Sequence, residues 1–96
     1  MPALRLTRAA RRDLVDIGAF TLDRWGDAQL EKYLRQLDAR LHAIARHPEH
    51  GRPCDEVRPG LMKVREGRHV IFYRSKNQRV EVVRVLHASM DPSRHL

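Results

Sequence analysis

Cysteine is almost missing from this chain. Cys54 stands alone, so no disulfide can close within it. Long apolar runs are missing as well: no stretch approaches the roughly 20 apolar residues that a membrane helix needs. The start, Met1-Pro2-Ala3-Leu4-Arg5-Leu6, has no apolar run of the kind that leads a secreted chain. Together these absences set the expectation of a cytoplasmic protein with no membrane partner. Aromatic residues are only 5% of the whole, so Leu, Val and Ile must supply most of the core. The five glycines are scattered, which excludes a phosphate-cradling loop, and no cofactor is expected. No serine or cysteine has the surroundings of a triad nucleophile. His47, His50 and Cys54 offer three metal donors, but no fourth Cys or His follows at finger spacing, and no metal site is expected.

Positive charge is what the chain does have. The formal charge is +7 over 96 residues, and its distribution is uneven. From Val57 to the end there are nine Lys/Arg against three acids, so +6 of the +7 lies in the C-terminal part. Such a field suits a polyanionic partner, either nucleic acid or an acidic protein segment; the alternative is an ordinary solvated surface.

The length sets the expectation of one domain over residues 1–96 with a single modest core. Leu4-Arg5-Leu6 reads as a short strand, and Thr7 as a helix cap. Ala10, Leu14, Ile17, Phe20/Thr21 and Trp25 then recur at helical spacing until Gly26 stops the helix. Asp27 is placed to cap a second helix, whose stripe is Leu30, Tyr33, Leu34, Leu37, Leu41 and Ile44; Pro48 ends it. Trp25 and Tyr33 read as core residues on these stripes. The short connection forces an antiparallel helical hairpin. Residues 47–60 read as a long loop punctuated by Pro and Gly. Residues 61–65, 68–74 and 79–87 read as three strands. The expected fold class is therefore α+β: an N-terminal strand, then an antiparallel helical hairpin packed on one face of a mostly antiparallel C-terminal sheet.

Alternation along the last strand puts Val80, Val82, Arg84 and Leu86 on one face and Glu81, Val83, Val85 and His87 on the other. Neither face is purely polar, so one is assigned to the hairpin and the other to a partner chain. Arg84 stands out in an apolar strand, where an unpaired charge is expensive. It is either salt-bridged within the fold or a contact for a phosphate or carboxylate. His87, at the strand end, has the chemistry of an acid or base, or of a simple backbone contact.

Several short patterns occur together: Ala10-x-x-Asp13-Leu14-x-x-Ile17, Trp25-Gly26 with Tyr33, His47-Pro48-x-x-Gly51-Arg52, Arg58-x-Gly60-Leu61, His69-Val70-Ile71-Phe72-Tyr73-Arg74, and Val82-Val83-Arg84-Val85-Leu86-His87-x-x-Met90-Asp91. In this order they resemble the ParE branch of the ParE/RelE toxins. That resemblance implies the toxin of a type II toxin–antitoxin system, directed at DNA gyrase and neutralised by a ParD-type antitoxin. It implies a partner with an acidic C-terminal segment, covering the hairpin and a sheet edge or face, and operator DNA reached only through that antitoxin. Target- or antitoxin-binding residues are then expected among Arg58, Arg68, Tyr73, Arg84, His87, Met90 and Arg94. The related RelE toxins cleave messenger RNA in the ribosome with clustered cations and an acid/base residue. The tail of this chain lacks the tyrosine often used there, and lysine is limited to Lys32, Lys63 and Lys76. A binding inhibitor is thus favoured over an enzyme. The alternatives are an endoribonuclease built from His87, Arg84, Arg68 and Arg65, and a non-toxic binding or co-repressor component.

Overall fold

The computed structural model describes residues 3–96; Met1 and Pro2, the first residues of the segment read above for a leader, lie outside the described residues. Strand β1 (Ala3–Leu6) runs into helix α1 (Arg8–Trp25) through Thr7, whose hydroxyl accepts from the Ala10 N–H at 3.0 Å. That bond satisfies one of the orphan donors of the first turn. Gly26, at φ +85°, ends α1 and opens α2 (Asp27–Arg46). Asp27 was expected to be the cap of α2 but is its first helical residue. There its carboxylate still faces the positive end of the helix dipole.

The expected loop over residues 47–60 carries more structure than its Pro and Gly content suggested. It holds a 3₁₀ turn at Pro48–His50 and a two-residue strand, β2 (Arg52–Pro53). Strands β3 (Met62–Glu66), β4 (His69–Lys76) and β5 (Arg79–His87) follow, then a 3₁₀ turn at Pro92–Arg94. The sheet order is β1-β5-β4-β3-β2; β1 is parallel to β5 and every other pairing is antiparallel.

Strict alternation fails on β5. Tyr73 pairs with Val82 but Phe72 pairs with Arg84, so Val83 is the extra residue of a bulge. Val80, Val82 and Val85 consequently share one core with Ile71 and Tyr73 of β4 and with Ala10, Ile17, Leu37, Leu41 and Ile44 of the hairpin. Val83 and Leu86 turn to the other face, where Phe72, Cys54 and Leu61 form a second cluster flanked by Val57, Val70 and Leu96. The centre of that face is therefore covered by the chain's own residues 54–61 and its last residue, where a partner chain was expected.

The helices are buried mainly at the base of the hairpin. Near its tip Phe20, Leu22, Trp25 and Leu34 remain exposed, with Trp25 at 53%. Trp25, read as a core residue from its spacing, is on the surface. Tyr33 is half-buried. Among the described residues no helix is long and apolar enough to cross a membrane.

Candidate functional site

The site is built where β4 begins and β5 ends. β1 pairs with β5 only as far as Val82, which leaves the rest of that strand edge open. Thr7 and Asp13 close it. The Thr7 N–H donates to the Val82 carbonyl at 3.0 Å, its hydroxyl donates to the Val83 carbonyl at 2.7 Å, and the Asp13 carboxylate accepts the Val85 N–H at 2.9 Å. Asp13 also grips Arg84 with two parallel bonds, at 2.7 and 2.8 Å. Both side chains are largely buried. The Asp13 hydrogen bond raises the Arg84 pKa above its usual value, with burial opposing it and the nearby carboxylate charge assisting. A third guanidinium N–H donates to the His95 carbonyl at 2.8 Å, which ties the tail to β5.

Beside this clamp, His69 and His87 face each other across β4 and β5, their rings edge to face with centroids 5.5 Å apart. The His69 Nδ1 lies 2.5 Å from the Tyr33 hydroxyl, which donates to the Glu66 carbonyl at 3.0 Å. The hydroxyl has one proton for the carbonyl and Nδ1, so the His69 tautomer follows whichever of the two receives it. Burial, then the charges of His87 and Arg68, hold the His69 pKa down at about 4, against the pull of Asp13. It is neutral at neutral pH. Burial raises the Tyr33 pKa, so its phenol stays protonated. The neutral form of His87 carries its proton on Nε2, because its Nδ1 accepts the Ser89 N–H at 3.1 Å.

Three hollows meet at His87. One of about 570 Å³ lies between α1 and the end of β5, against Asp13, Phe20, Arg84 and Met90. A second, of about 420 Å³, lies between the hairpin and the β3–β4 turn, against Phe20, Trp25, Tyr33, Arg68 and His69. The third, of about 530 Å³, lies on the opposite face of the sheet, against Arg52, Lys63, Arg65, Val70 and Met90. The exposed rings are topped by cations: Arg24 lies 5.5 Å from the Phe20 centroid and Arg68 lies 5.4 Å from that of Trp25. The surface is thus apolar at its floor and positive at its rim.

Of the residues expected from sequence, Arg84, His87 and Met90 share the first hollow. Arg68 lines the second hollow and Arg65 the third, each together with His87. Arg58 sits apart in the loop before β3, and Arg94 is exposed on the tail turn beside Asp91. Tyr73 was placed on a binding surface, but it is fully buried under the hairpin, its hydroxyl bonded to the Pro48 carbonyl at 2.7 Å. A side chain in that position cannot meet a partner while the core is closed. Asp13, His69 and Trp25 are part of the site yet were not singled out for it. The signal in sequence was thin: an acid on an otherwise ordinary helix, and a histidine within a strand pattern. The donor atoms of His47, Glu49 and His50 lie within 4.8 Å of one another on exposed side chains, whereas Cys54 is buried in the second cluster.

Comparison with known proteins agrees with this architecture. Residues 4–92 match the family described as "ParE toxin of type II toxin-antitoxin system, parDE". The chain is 44% identical over 96 residues to Toxin ParE1 of Caulobacter vibrioides, covering all of this chain and 99% of that one. It is 46% identical over 92 residues to Toxin ParE1 of Mycobacterium tuberculosis, covering 95% and 94% respectively. Among solved structures, a chain from the chromosomal ParDE system of P. aeruginosa superposes with a TM-score of 0.78 at 20% identity, covering 91% of this chain and 96% of that one. The YoeB/ParE toxin from Agrobacterium tumefaciens superposes at 0.61 with 18% identity, covering 88% and 96%. At such identities the two structures speak to the fold alone.

Proposed function

The chain belongs to the ParE toxin family of type II toxin–antitoxin systems, and from that premise we propose that it inhibits DNA gyrase by binding and is neutralised by a ParD-type antitoxin. The supporting observation is the groove at the hairpin tip. Phe20 and Trp25 are each more than half exposed, and each is flanked by an arginine. An amphipathic helix or strand with apolar anchors and acidic flanks fits such a groove. Opposite charge speeds its capture. The antitoxin's C-terminal segment is the proposed occupant, in the cytoplasm, and gyrase is what the freed toxin meets.

A binding mode suits Arg84 better than catalysis does. Three of its N–H groups are already committed to Asp13 and His95. A transition-state phosphate needs donors that are free to meet it. The test is supercoiling by purified gyrase with the toxin added. Inhibition with trapped DNA cleavage complexes is the expected result, and undisturbed supercoiling at a large molar excess of toxin overturns it.

One observation favours a second reading. The adjacent His69 and His87, with Arg68 and Arg65 nearby, have the composition of an acid–base pair for phosphodiester cleavage. On this reading the chain is a ribosome-dependent endoribonuclease. Primer extension on messages after induction separates the two: new codon-positioned ends that vanish with His87→Ala establish cleavage, and their absence removes it.

A further inference from the structure

The opposite end of the sheet carries a surface that the proposed function does not use. At roughly 3.3 Å per residue, Lys76 lies roughly 23 Å along β4 from His69. An open hollow of about 1050 Å³ there is lined by Arg5, Arg74, Lys76, Arg79 and, as its one acid, Glu81. Glu81 serves two of the cations: it bonds Arg74 at 2.6 Å and stands 4.0 Å from Arg5. Among the described residues, neither Lys76 nor Arg79 has a carboxylate partner. Yet the two are directly paired across β4 and β5, an arrangement in which like charges repel. The turn between them, Asn77-Gln78, has positive φ at both residues and holds the two cations at the hairpin end. The fold thus keeps four cations at one end of the sheet, two of them set against each other.

We propose that this end of the sheet binds the phosphate backbone of duplex DNA. Phosphates match a surface that offers charge and little else. Among the described residues, the hollow's non-polar lining is Ala3, Pro59, Gly60 and Val80, which give no deep anchor for an acidic peptide. It contains no aromatic side chain, so it lacks the stacking platform that single strands use. Domains dedicated to duplex RNA span about 16 base pairs and two successive minor grooves, more than three strand ends provide. Duplex DNA presents one charge per roughly 1.7 Å of axis and needs only cations. The contact is independent of sequence, and it lies far enough from the hairpin groove for both surfaces to be occupied together. It therefore adds a direct DNA contact to a chain expected to reach operator DNA only through its antitoxin.

The test is fluorescence anisotropy of a labelled 30-base-pair duplex with the purified full chain over a range of KCl concentrations. Binding is expected to be weak, in the range of about 1–100 μM near physiological salt. The Lys76→Ser/Arg79→Ser double variant should flatten the slope of log affinity against log salt by about 2, since each lost phosphate contact removes about 0.9. Its melting temperature should hold or rise, because a like-charge pair is gone. The Arg35→Ser/Arg46→Ser double variant removes the same charge from the exposed side of α2 and should leave the slope unchanged. Equal flattening by both variants overturns the proposal in favour of a general field. So does tighter binding to duplex RNA, or no binding at 50 mM salt. None of these outcomes bears on gyrase inhibition.

Discussion

Removing the Asp13 carboxylate strands two groups at once. Arg84 keeps its charge in a largely buried position, and the Val85 N–H loses its acceptor at the edge of β5. Breaking one half of such a pair costs about 3–5 kcal/mol. Asp13→Ala is therefore expected to lower unfolding free energy by about 3 kcal/mol or more in urea titrations. An Asp13→Leu/Arg84→Met double variant should recover most of that and remain about 1–2 kcal/mol short, because the Val85 N–H is still orphaned. A single-variant cost below about 1 kcal/mol would contradict the buried-pair account. His69 makes a second prediction, about pH. Its folded pKa, about 4, lies below the unfolded value of roughly 6.5, chiefly through burial. The unfolded chain thus binds the extra proton first. The stability His69 contributes is fully present above about pH 6.5 and is lost as pH falls toward 4. With a discount for its partial exposure, the loss is about 1–2 kcal/mol. Unfolding wild type and His69→Gln at pH 7 and pH 4.5 isolates this share from that of the other histidines. The variant should lose less stability between the two values, and parallel losses would refute the assignment.

The 3₁₀ turn after α2 is fitted to β4 at a single glycine. Gly51 has an ordinary φ of −74°, so nothing in its backbone demands glycine. A Cβ there would instead overlap the hydroxyl of Tyr73, with the ring carbon bearing that hydroxyl 2.8 Å away. Tyr73 is fully buried and tethered to the Pro48 carbonyl, so it has nowhere to retreat. Gly51→Ala should cost about 3 kcal/mol by overpacking alone, measured as a shift in urea midpoint. In the Tyr73→Phe background the same change should cost clearly less; equal costs in both backgrounds would show that the hydroxyl is not the obstacle. Elements of this kind mark the limit of what periodicity conveys. The helical stripes, the Gly26 stop and the three long strands were legible because each is a local repeat of apolar residues. The β2 pairing, the bulge at Val83 and the Gly51–Tyr73 contact were not, because each depends on a partner distant in sequence. The bulge shows the consequence most directly: one extra residue sent Val85 and Leu86 to the faces opposite those that alternation assigned.

The molecule as a whole has two charged ends and an apolar tip, and only part of that was legible from composition. The C-terminal concentration of Lys/Arg was visible in the sequence. Its division between the rim of the groove and the far hairpin follows from the antiparallel run of β4 and β5, which sets Arg68 and Arg79 at opposite ends. Arg84 was conspicuous in an apolar strand, but its partner Asp13 lies 71 residues away and could not be read from spacing. The stripe ending at Trp25 has the right period, yet its burial depends on how far the sheet extends beneath the hairpin, and there the sheet stops short. This geometry allows stability to be tested apart from the recognition proposed for the tip. Phe20 and Trp25 are 56% and 53% exposed, so replacing both with serine should change folding stability by no more than about 0.5 kcal/mol each. A partner that seats apolar anchors on those rings would lose about 2 kcal/mol or more, a drop of at least about tenfold in affinity. Arg24 and Arg68 are retained in that variant, so the salt dependence of association should persist while dissociation speeds up. Titration calorimetry against a ParD-type antitoxin reads the affinity, and thermal unfolding reads the stability. Unchanged affinity would place the antitoxin elsewhere on the chain, and equal loss in both measurements would return the two rings to the core.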